Sequence, residues 1–100
     1  MSIEKLITDV TNKFPLPTGY EWATVDEEIV GIRKTVGTQK GWWMCWMQRN
    51  ASTNLMEVFA HPSRTDYWTA ARLPHDTAGE VLAEIVYQQF IFMEKEVETI

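Results

Sequence analysis

The sequence predicts an α+β fold: an antiparallel four- to five-stranded β-meander flanked by an N-terminal helix and a long C-terminal helix packed on one face. Three observations predict it. Apolar residues recur at steps of three and four near both ends of the chain. Between Tyr20 and Ala60 the period falls to two. The turns that break this stretch are short enough to join antiparallel neighbours. One domain spans residues 1–100, with no internal repeat, low-complexity stretch or linker.

Ser2 suits the N-cap of the first helix. Ile3, Leu6, Ile7, Val10 and Phe14 then fall on one helical face. Glu4 in the first turn and Lys13 in the last suit the helix dipole. Pro15 ends the helix, because the residue before a proline is pushed out of the α region. Tyr20–Val25 alternates as a strand, and Asp26-Glu27-Glu28 forms a solvated turn. Ile29–Val36 reads as the second strand, with Gly31 marking a bulge or a close backbone approach. Trp42–Gln48 is the third strand and Leu55–His61 the fourth.

Asp66–Leu73 reads as either a helix or a fifth strand. A good turn at Pro62–Thr65 and the β propensity of Tyr67 and Trp68 favour the strand. Thr77 and Glu80 fit a capping box. Val81, Leu82, Ile85, Val86, Phe90, Met93 and Val97 continue as a wide apolar stripe over residues 78–98. The expected core is Ile3, Leu6, Ile7, Val10, Val81, Leu82, Ile85 and Val86.

Hydrophobic residues make up 45% of the 100-residue chain and charged residues 23%, which excludes a disordered chain. The longest apolar run, Trp42–Met47, is far too short to span a membrane. No secretion signal is visible, so the expected location is the cytoplasm. A single cysteine, Cys45, excludes an intrachain disulfide and a cysteine-rich zinc site. The formal net charge is −5, but its distribution is uneven: residues 1–32 carry −4, residues 33–72 carry +4 and residues 73–100 carry −5. Bare nucleic acid is therefore repelled by the whole chain, and a local basic surface remains open to it.

Five tryptophans are many for this length, and Trp42, Trp43 and Trp46 share one segment with Met44, Cys45 and Met47. On a regular strand Trp42, Met44 and Trp46 point one way, and Trp43, Cys45 and Met47 the other. Both faces are then apolar, and two helices cover only one. The other is closed by sheet curvature or by a second copy, or it is an aromatic and methionine-rich binding surface.

No residue set demands catalysis, a cofactor or a metal. His61, His75, Asp66 and Asp76 match no zinc spacing and read as turn and cap residues. Cys45 lies mid-strand among tryptophans, where a thiol is a packing group. The five glycines form no phosphate loop. On the last helix Glu80, Glu84, Tyr87, Ile91, Glu94 and Glu98 align at steps of four and three. That stripe is either a solvated face or an acidic docking ridge with an apolar centre, suited to a basic groove.

In size, acidity and layout the chain resembles small phage-encoded inhibitors of bacterial defence systems, including anti-CRISPR proteins, and immunity proteins that neutralise toxins. The resemblance implies a non-enzymatic partner-binding inhibitor. Its partner would be a larger protein, such as a nuclease or nucleic-acid-binding complex with a basic groove, met through Glu80, Glu84, Tyr87, Glu94 and Glu98 with Trp42, Trp46 or Trp68. A homodimer through the tryptophan face is a variant of this reading. The alternative from the residues is a single-stranded nucleic-acid-binding module, in which an aromatic sheet lies near Arg33, Lys34, Lys40, Arg49, Arg64 and Arg72.

Overall fold

A computed structural model describes residues 3–26, 29–63 and 65–98, with the backbone alone for Ile3 and residues 94–98. Ser2, Glu27, Glu28 and Arg64, and the side chains of Ile3, Glu94, Val97 and Glu98, lie outside the described residues. The order is α1 (Ile3–Lys13), β1 (Tyr20–Val25), β2 (Ile29–Lys34), β3 (Trp43–Asn50), β4 (Leu55–Ala60), β5 (Trp68–Pro74) and α2 (Gly79–Glu98). The five strands form one open antiparallel sheet in chain order, and Asp66–Leu73 resolves as strand.

Helix α1 ends where Pro15 removes the next donor. The Phe14 amide still bonds the Val10 carbonyl at 2.8 Å, and the Trp22 indole donates to the Phe14 carbonyl at 3.0 Å. This ties the end of α1 to β1. Both helices pack on the same side of the sheet. Leu6 and Val10 from α1 join Leu82, Ala83, Val86, Phe90 and Met93 from α2 over Trp22, Ile32, Cys45, Met47 and Val58. Ile7 and Ile85 are half-buried against that core. At the helix crossing, a Cβ on Gly79 would stand 3.1 Å from a Leu6 methyl, so the missing side chain lets α1 approach closely.

Two register shifts bend the sheet. Ile32 faces Cys45 while Arg33 faces Trp43, so Met44 is an extra residue on β3. Val58 faces Ala71 while Phe59 faces Thr69, so Ala70 is extra on β5. A bulge lets two successive side chains share a side. Strict alternation, with Trp42, Met44 and Trp46 opposed to Trp43, Cys45 and Met47, is therefore not what forms. Met44, Cys45 and Met47 all join the core, while Trp43 and Trp46 both face away from the helices.

Two further expectations are corrected. The Thr77 hydroxyl donates to the Pro74 carbonyl at 2.7 Å, and Glu80 pairs with Lys13, so no capping box forms. The Ala78 carbonyl accepts the first helical bonds, from Val81 and Leu82. Val81 is not core: it is 47% exposed, because the stripe centred on Leu82, Val86 and Phe90 turns it outward.

At Gly31, β2 and β3 are tightly apposed. A Cβ there would lie 2.3 Å from the Cys45 carbonyl oxygen and 2.5 Å from the Trp46 Cβ. Backbone cannot yield as a flexible side-chain tip does. We expect Gly31→Ala to destabilise the fold by about 3 kcal/mol or more, read from urea or thermal unfolding. A loss under about 0.5 kcal/mol would show that the two strands are not in this register.

Candidate functional site

The sheet face turned away from the helices has no covering layer among the described residues. Its central cross-strand row runs Ala23, Gly31, Trp46, Phe59 and Thr69. Two small residues thus lie beside two large aromatic ones, which stand as an aromatic wall, with Gly31 buried under the close approach of Trp46. Trp46 lies 5.5 Å from Phe59, 6.3 Å from His61 and 6.2 Å from Tyr67, ring centre to ring centre. Tyr67 stacks on Phe59 at 5.8 Å and meets His61 edge-on at 5.3 Å. Tyr67 itself is 56% exposed. Trp42 packs 4.7 Å from His61, and its indole donates to the His61 carbonyl at 2.8 Å.

Beside this wall lies a trough of about 400 Å³. Val25, Ile29 and Gln48 line one end, Trp46 the middle, and Trp42, Trp43 and His61 the other end. At Gly41 the trough adjoins a polar hollow lined by Glu21, Arg33, Lys34 and Lys40. The Arg33 guanidinium sits 5.6 Å above the Trp43 ring and donates to Glu21 through Nε at 3.1 Å. Lys34 Nζ donates to the Gln39 side-chain oxygen at 2.9 Å, and Lys40 is exposed.

A second ion pair closes the far side of the face. Arg72 Nε donates to Glu57 at 2.8 Å, and the Asn50 amide donates to the other carboxylate oxygen at 3.0 Å. The Glu57 side chain is only 10% exposed. These bonds, the one from Arg72 foremost, hold its carboxyl below the ordinary glutamate value against the opposing effect of desolvation.

The proposed partner-binding residues fall on different layers. Trp42 and Trp46 meet at the trough. Trp68 does not: it pairs with Ala60 on the helix side, and its indole donates to Gln89 of α2 at 3.2 Å. Glu80 and Glu84 are exposed on α2, and Glu80 lies 3.4 Å from Lys13. Tyr87 packs at a tilt 5.2 Å from Phe14 and donates its hydroxyl to the Pro15 carbonyl at 3.0 Å, which fixes the α1–β1 connection. Glu94 and Glu98 lie outside the described side chains. The ridge and the trough are thus on opposite sides of the sheet. Trp43, Phe59, His61 and Tyr67 were not in the predicted set, because their grouping depends on the Met44 bulge and the β4–β5 turn.

Cys45 is fully buried, and its thiol donates to the Val86 carbonyl at 3.3 Å. Burial pushes its pKa far above the ordinary thiol value, so the thiolate that nucleophilic chemistry needs is suppressed. Among the described residues no three of His, Cys, Asp and Glu gather as a metal site, and no helix is long and apolar enough to cross a membrane. No protein family, curated protein or solved structure matches the chain.

Two outcomes follow from this chemistry. A depressed carboxyl adds stability at pH above its unfolded-state value, and that stability is lost as pH falls through the folded-state value. The stability advantage of wild type over Glu57→Gln should therefore shrink below the ordinary glutamate range, measured by urea unfolding over a series of pH values. A constant gap would deny the pairing. Cys45 should react with a thiol reagent only as fast as the protein globally unfolds, and at once in denaturant. Rapid native-state labelling would mean that the thiol is accessible.

Proposed function

We infer that this chain is a non-enzymatic binding protein that acts in the cytoplasm and inhibits or neutralises a larger protein, as phage anti-defence inhibitors and toxin-immunity proteins do. The lasting contact is made by the open aromatic face of the sheet. The observation that carries this reading is the trough with its aromatic wall on a sheet face that no helix covers. Buried aromatic anchors supply most of the affinity at protein interfaces, and charged rims mainly set on-rate and specificity. The acidic edge of α2, with Glu80 and Glu84, fits the basic groove of a nuclease or nucleic-acid-binding complex as a separate, faster contact. A second copy of the chain docked face to face is the variant of the same reading.

The basic hollow beside the trough favours single-stranded nucleic acid as the second reading. Against it, Arg33 is paired with Glu21 and Arg72 with Glu57, and the net charge is −5. Affinity capture from producing cells distinguishes these readings when wild type is compared with two variants. Trp46→Ala with Tyr67→Ala should lose the captured partner, while Glu80→Lys with Glu84→Lys should keep it with slower association. Loss only in the lysine variant would move the interface to α2. Capture of nucleic acid alone would favour the second reading.

A further inference from the structure

We propose that the trough receives an extended acidic segment of the partner protein, with one bulky apolar side chain seated beside Trp46 and a carboxylate at Lys40. This rests on the reading of the open sheet face as the binding surface, and it names what fills that surface.

The apolar half of the argument is the trough lining. Val25 and Ile29 close one end, and of the remaining residues only Gln48 and His61 offer polar side-chain atoms apart from the indole N–H groups. The indole of Trp42 is already bonded to the His61 carbonyl. A nucleobase edge would leave hydrogen-bonding groups against the aliphatic end, which is costly when water is excluded. A leucine or aromatic side chain loses nothing there. The trough itself gives it room next to the Trp46 ring.

The charged half is the adjoining hollow. Lys40 lines that hollow with the paired Arg33 and Glu21, so it carries a local positive excess, while Lys34, in register with Tyr20 on the helix side of β2, has its ammonium bonded to Gln39. Gly41 lines both cavities, and Lys40 also borders Trp42 in the loop between β2 and β3. The apolar seat and the cationic site are therefore continuous. From Ile29 to Arg33, β2 rises about 13 Å at the usual strand spacing, which is the reach of about four extended residues. The carboxylate then belongs within about four residues of the anchor. The acids of α2 lie on the opposite layer and do not border this site.

A phage-displayed library of random dodecapeptides, panned on the intact protein, tests this. The expected result is enrichment of peptides with Leu, Phe, Trp or Tyr and an Asp or Glu within about four residues. The synthetic consensus peptide should change tryptophan fluorescence and bind more weakly as salt rises. Its affinity should fall in Lys40→Ala and by about tenfold or more in Lys40→Glu, changes at an exposed side chain, and likewise in Trp46→Ala shown by circular dichroism to be folded. Tyr67→Ala, at an exposed ring, serves if Trp46→Ala does not fold. Loss in the aromatic variants with no loss in the lysine variants overturns the acidic segment and leaves the binding face standing. Binding unchanged in every variant overturns both. Enrichment of basic peptides, no enrichment, a face-to-face dimer in sedimentation, or salt-dependent quenching by a twelve-nucleotide oligothymidylate alone each overturns the proposal.

Discussion

The contact of Trp46 with the bare backbone of Gly31 fixes the arrangement of everything around it. With no Cβ on β2 at that row, β3 comes close enough for Cys45 and Trp46 to occupy space that any side chain would claim. One residue further along, the extra Met44 resets the register, so that Arg33 meets Trp43 rather than Met44. The local consequence is a division of one apolar segment. Met44, Cys45 and Met47 fill the core under α2, and Trp43 and Trp46 stand on the other face. The fold and the trough therefore depend on the same pair of strands.

Charge follows the same two-sided plan. On the open face the cations are placed against acids from neighbouring strands: Arg33 on Glu21, and Arg72 on Glu57. Exposed pairs such as the first add little stability and hold side chains in place. The second is better shielded, and Asn50 satisfies the remaining carboxylate oxygen, which keeps a nearly buried Glu57 ionised. These pairs flank the aromatic group on both sides. The excess charge is left to Lys40 at one end of the face, and to Glu84 on the helical layer.

Elements that depend on local pattern were legible in the sequence. Helix α1 was readable in place and approximate extent, because an amphipathic run stops at a proline. The hairpins were readable because short turns separate alternating stretches, although β2 stops at Lys34 instead of Val36. The site was legible only in part. Trp42 and Trp46 were picked out by composition, but Trp43 was assigned to the wrong side, since a bulge leaves no periodic signal. Tyr67 joins the group through the β4–β5 turn, whose path brings it beside Phe59. Tyr87 looked like the apolar centre of a docking ridge, yet its hydroxyl finds the Pro15 carbonyl, a contact 72 residues away in sequence that no local pattern encodes.

An open sheet offers two routes to association, along its edges or across its uncovered face. The edges here are poor templates. Strand β1 is packed against α1 and tied to it through the Trp22 indole. Strand β5 carries the Ala70 bulge and finishes at Pro74, two features that disrupt the regular row of donors an added strand would need. The face, by contrast, presents rigid rings held by their neighbours, with Phe59 and Tyr67 stacked and Trp42 fixed by its hydrogen bond. Ordering such side chains on binding costs little entropy, because their positions are already set. Strand addition is thereby the less favoured route, and the partner proposed above would meet the uncovered face.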